Sequence, residues 1–135
     1  MMIMKRLFSA VCASAIIFCA STAARADTGP RSDTAAIRKL ATVSKAPCPQ
    51  RVSHVSVNGN YALATVEQRG SCDMAAVWVY ARKGGIWHST GAIGGVPDAC
   101  AIHSKGVPLS IAPALIRAFT GTSDTSLTST KRCGG

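Results

Sequence analysis

From Gly94 to Pro108 the chain reads GGVPDACAIHSKGVP, which gathers Asp98, Cys100 and His103 within six positions and follows closely on His88. These side chains are the parts of three chemistries. A histidine beside a carboxylate is an acid–base pair, a cysteine beside a histidine is an activated nucleophile, and all of them ligate metals. Spacing weakens each reading. The sequence holds no H-E-x-x-H, no G-x-S-x-G and no C-x-x-C. His88, Asp98 and His103 therefore become the polar site of a small hydrolase only if the fold brings them together. Otherwise they are a half-exposed strand histidine, a loop carboxylate and a surface helix histidine. The acids Asp27, Asp33, Glu67, Asp73, Asp98 and Asp124 are scattered and suggest no carboxylate pair. Gly91, Gly94 and Gly95 follow a strand, but no Gly-Lys-Ser/Thr completes a phosphate loop. No metal and no cofactor is expected, and no catalytic residue is assigned.

The fate of Cys100 depends on compartment, and the N-terminus addresses that. Lys5 and Arg6 precede an apolar run from Leu7 to Ala20, and Ala24 and Ala26 flank Arg25. This is the tripartite pattern of a secretory signal peptide, residues 1–26, cleaved after Ala26. The run falls short of the ~20 residues that span a bilayer, so the product is expected to be periplasmic or secreted and not membrane-spanning. Cleavage there leaves 109 residues, twelve Lys and Arg, six acids and a net charge of +6. Four cysteines remain, Cys48, Cys72, Cys100 and Cys133. An even count in a short exported chain reads as two disulfides, which removes Cys100 as a nucleophile. Extending the turn registers leaves Cys72 three residues out of step with both Cys48 and Cys100. The expectation is Cys48–Cys72 with Cys100–Cys133, and the other connectivities stay open.

The elements follow from periodicity. Residues 27–32 read as a mobile leader. Residues 33–45 alternate at three and four, with Ala36, Ile37, Leu40 and Ala41 on one face, and Pro47 ends this helix. Four β-rich runs follow. Asn58-Gly59 joins the first two and Gly84-Gly85 the last two, each a tight hairpin signal. The third run, MAAVWVYARK, is apolar on both faces, as in a covered central strand. Two Gly-Val-Pro triplets then open short helices, with Leu115, Ile116 and Phe119 as the apolar face of the second. The fold class is α+β: an N-terminal helix packed on a four-stranded antiparallel meander, followed by short helices, in one domain over 33–121. One helix on one sheet face gives two layers. Residues 122–135 are a Ser/Thr-rich tail, disordered by composition and tied by Cys133.

The order of elements, carried by YALATV and GGIWHSTGAIGGVP, resembles cystatin-like or NTF2-like secreted modules and uncharacterised exported bacterial proteins over about residues 33–119. The resemblance implies a fold and no particular activity.

Two surfaces are candidates for binding. Trp78 and Tyr80 share one strand face, which is either core packing or a ligand platform. Arg38, Lys39 and Lys45 lie on or just after the first helix and would present cations to an anionic envelope component or an acidic protein. Nucleic acid is not expected as a partner, since no interleaved aromatic-basic motif is present. The leading reading is a small exported binding, inhibitor or accessory envelope protein without enzymatic activity. The alternative is a small exported hydrolase using His88 and His103.

Overall fold

The computed structural model describes residues 26–42, 48–68, 72 and 74–134. Residues 1–25, which hold almost all of the expected signal segment, and Lys45 lie outside the described residues. The elements are α1 (Arg31–Thr42), β1 (Gln50–Asn58), β2 (Tyr61–Gln68), β3 (Met74–Lys83), β4 (Ile86–Ile93), α2 (Ala99–His103), α3 (Ala112–Thr120) and α4 (Thr125–Thr128). The sheet is an antiparallel meander in the order β1-β2-β3-β4. Disulfides join Cys48 to Cys72 and Cys100 to Cys133.

The hairpins form where small residues allow positive φ. Gly84 and Gly85 take φ of 57° and 77°, and Lys83 pairs with Ile86 across them. The first turn sits one residue later than Asn58-Gly59. Asn58 pairs with Tyr61, so Gly59 and Asn60 are its central residues. A bulge at Ser53 lets Val52 and Val55 face the same side of β1 despite being three apart, while His54 and Ser56 turn to the other.

Both sheet faces are covered, which makes three layers where the sequence suggests two. On one side Ile37 and Ala41 of α1 pack on Val52, Val55, Val57, Ala62, Ala64, Val66, Tyr80 and Trp87. On the other, Ile102, Leu115, Ile116 and Phe119 of the later helices pack on Leu63, Val77 and Val79. The doubly apolar β3 requires this second cover. Fully burying each large side chain contributes about 1.5–3 kcal/mol. Leu127 of α4 packs against the second core, so the Ser/Thr-rich tail carries a short helix capped by Asp124.

Helix α1 begins at Arg31, and the leader before it is docked. The N–H of Thr28 donates to Val55 O (3.0 Å) and Val57 N–H donates to Thr28 O (2.8 Å), a short parallel bridge along β1. Asp27 accepts two hydrogen bonds from the Arg38 guanidinium (2.7 and 2.8 Å) and one from Val55 N–H (3.0 Å). A polar leader is mobile only while its groups are satisfied by water. Here β1 and α1 satisfy them instead.

Candidate functional site

Helix α1 runs over β1 and β2 and leaves part of its sheet face open. The opening is a groove of about 280 Å³, floored by Val66, Trp78, Tyr80 and Ser89, with Gln50 at one end and Leu40 and Ala41 as the wall. The strands place these residues by register. Trp78 lies beside Ala64 on β2, and Tyr80 lies beside Ser89 on β4. Trp78 is half-buried and packs on the core below. Tyr80 is only 2% exposed, and burial pushes its hydroxyl pKa up to about 12. The groove thus offers an aromatic and aliphatic interior with a Tyr hydroxyl, a Ser hydroxyl and a Gln amide as polar handles. Among the described residues no charged side chain lines it. Such a site takes an apolar or flat group that carries a neutral hydrogen-bonding edge.

The far end of the same face is closed. The Trp87 ring is 8% exposed, its indole N–H donates to Asp33 (3.3 Å), and the Arg82 guanidinium sits 5.0 Å from the ring centroid. Arg82 also pairs with Asp33 at 2.9 Å. Trp87 is core, and Trp78 is both core and groove floor.

The other sequence candidates are dispersed. Asp98 caps α2, accepting from Ala101 N–H at 2.7 Å. His103 Nδ1 lies 2.8 Å from Val107 O, which can only accept, so this nitrogen carries the proton. His88 stands exposed on β4. No hydrogen bond or ion pair among the described residues joins any two of these three, and neither histidine lines the groove. Among the described residues no group of three His, Cys, Asp or Glu is placed to hold a metal. A wider cleft of about 780 Å³ lies by Asp98 and Cys100, with Lys131 and Arg132 on its rim.

Arg38 is not part of an open cationic row. Its guanidinium is spent on Asp27 and on Val52 O (2.7 Å), and Asp27 holds the group's pKa above its ordinary value. The hydrogen bonds from Arg38 in turn hold the Asp27 carboxyl below the usual range. Lys39 is exposed. Four of the six acids after Ala26 have local partners, Asp27 and Asp33 in arginines and Asp98 and Asp124 in helix caps.

One constellation escapes sequence reasoning. His54 Nδ1 lies 4.0 Å from Asp27, and His54 Nε2 lies 3.2 Å from Ser56 Oγ. The order Asp–His–Ser matches that of a hydrolytic triad. Ser56 is 0% exposed and accepts a hydrogen bond from Thr28 Oγ1 at 2.7 Å, so no substrate carbonyl reaches it. The cluster is a buried polar network that docks the N-terminal arm. The alternation of His54 and Ser56 on one strand was its only signal.

No family model matches this chain, and neither a curated protein nor a solved structure matches it.

Proposed function

We propose that this chain is a small exported binding protein, of inhibitor or accessory type and without enzymatic activity, whose ligand sits in the groove over Trp78 and Tyr80. The observation that carries the reading is the half-buried Trp78 at the floor of an apolar groove beside α1. Aromatic rings with a few aligned polar groups are the usual lining of a recognition pocket. Two disulfides are compatible with an exported protein, and no helix among the described residues is long and apolar enough to cross a membrane. Cleavage after Ala26 would free Asp27 as the first residue. The net positive charge favours an acidic protein or anionic envelope material as the source of the ligand.

The test is retention of envelope components on immobilised mature protein, compared with Trp78→Ala and with His88→Ala/His103→Ala. The expected result is a component lost with Trp78→Ala and kept with the double histidine variant. Retention that ignores Trp78, or hydrolysis of the retained component that disappears with the histidines, overturns the reading. N-terminal sequencing of the exported protein should begin at Asp27.

A further inference from the structure

The two edges of the sheet are finished differently. The outer side of β1 is occupied by Asp27 and Thr28. At the other edge, no strand pairs with the outer side of β4 among the described residues. Arg82 N–H donates to Asn60 O, on the β2 side. Alternation then turns Ala81 and Lys83 toward β4. Through the pairs Arg82–Trp87 and Tyr80–Ser89, it leaves the backbone N–H and C=O of Trp87 and Ser89 pointing outward. Edge strands are commonly blunted by lysine, proline or a covering segment. The sequence of β4, IWHSTGAI, has no lysine, arginine, acid or proline, and its bulge at Thr90 leaves a regular edge from Ile86 to Ser89, along which His88 and Ser89 are exposed.

Cations stand at both ends of this edge. Exposed Lys83 pairs with Ile86 at the start of β4. At the other end the Lys105 side chain lies over Gly91, with Cδ 2.9 Å and Nζ 3.5 Å from the position a Cβ would take. The stretch from Ile86 to Gly91 spans Lys83 to Val79 on β3, about 14 Å of strand. Ser89 has its backbone on the open edge and its side chain on the groove floor.

We propose that β4 accepts an extended acidic segment of a partner protein as a fifth strand. The segment's carboxylates meet Lys83 and Lys105, and the side chain beside Ser89 enters the Trp78–Tyr80 groove. Backbone pairing supplies affinity, and the groove selects the side chain. A second copy of this chain is the poorer occupant, because it brings the same cations to the same edge. The inference rests on the groove being the ligand site and names the ligand's class.

The test is selection of random ten-residue peptides, displayed as a library, against the mature protein. Enriched sequences should be acidic and alternate apolar with polar residues. Binding should slow amide exchange at Trp87 and Ser89. Peptides N-methylated at every second residue should lose at least tenfold in affinity in one register and little in the other, a comparison that leaves the protein untouched. Lys83→Ser/Lys105→Ser should weaken binding several-fold and flatten its salt dependence. Failure to enrich any peptide, enrichment of basic ones, or indifference to N-methylation in both registers overturns strand addition. So does dimerisation of the mature protein through β4 in sedimentation. Binding that is lost with Trp78→Ala but indifferent to N-methylation retains the groove and removes the edge. Binding lost on N-methylation but kept with Trp78→Ala does the reverse.

Discussion

Trp78 and Trp87 stand nine residues apart on one hairpin and one sheet face, yet they meet opposite surroundings. Trp87 lies under the first turn of α1, where Asp33 takes its N–H and Arg82 covers its ring. Trp78 lies by the last described turn, where Leu40 and Ala41 form one wall of the groove. An aromatic residue on a sheet becomes core where a polar partner seals its edge. It remains a groove lining where the helix stands beside it as a wall.

The largest test of this contrast is truncation of each ring. Trp87→Ala should cost about 3–5 kcal/mol in chemical denaturation. Trp78→Ala should cost about 1–2 kcal/mol, since less of its surface leaves water. Equal losses would mean that both rings serve only as core. The next test opens the closed end. Asp33→Ala removes the acceptor for Trp87 and the partner of Arg82 and should cost about 1–3 kcal/mol. It should also red-shift the tryptophan emission, and an unchanged spectrum would show that the carboxylate does not seal that ring.

Alkali probes the open end. The folded pKa of Tyr80 is raised to about 12 by burial, against an ordinary value of 10.0. The unfolded chain therefore releases this proton first. Stability linked to Tyr80 is intact below pH 10 and falls as pH rises toward about 12, by at most roughly 1.4 kcal/mol per pH unit. Tyr80→Phe should remove that part of the decline, measured by denaturation across the interval. The smallest effect concerns α1 itself. The Asp27 carboxyl is held below 3.8, chiefly by its hydrogen bonds to Arg38. Its contribution is full above pH 3.8 and is lost as pH falls through the lower folded value. Asp27→Asn should shallow the acid limb of the stability curve and loosen α1, read as faster amide exchange in the helix. An unchanged acid limb would remove this carboxylate as a support of α1.

Much of this architecture was legible because its signals are local. Gly84-Gly85 marks one hairpin and Asn58-Gly59 marks the other to within one residue, and the alternation in MAAVWVYARK marks a strand apolar on both faces. The disulfide pairing was expected, although turn arithmetic left it open. What sequence hid was long-range satisfaction of polar groups. Nothing in DTGP signals that Asp27 meets an arginine eleven residues later or that Thr28 pairs with β1. Asp98 stayed open between a polar site and a loop carboxylate, because capping and acid–base chemistry ask for the same side chain. The groove was half visible. Trp78 and Tyr80 were seen to share a face, but how α1 lies against that face is set by tertiary packing.

The four cysteines after Ala26 pair in the order in which they occur, Cys48 with Cys72 and Cys100 with Cys133. The sheet likewise joins only consecutive strands. For a chain that emerges N-terminus first, the Cys48–Cys72 bond can close once two strands have passed, while Cys100 and Cys133 are still behind. An oxidant that simply joins each new thiol to the one already waiting therefore produces the native pattern. Such a protein can mature in a compartment that makes disulfides without depending on an enzyme to reshuffle them.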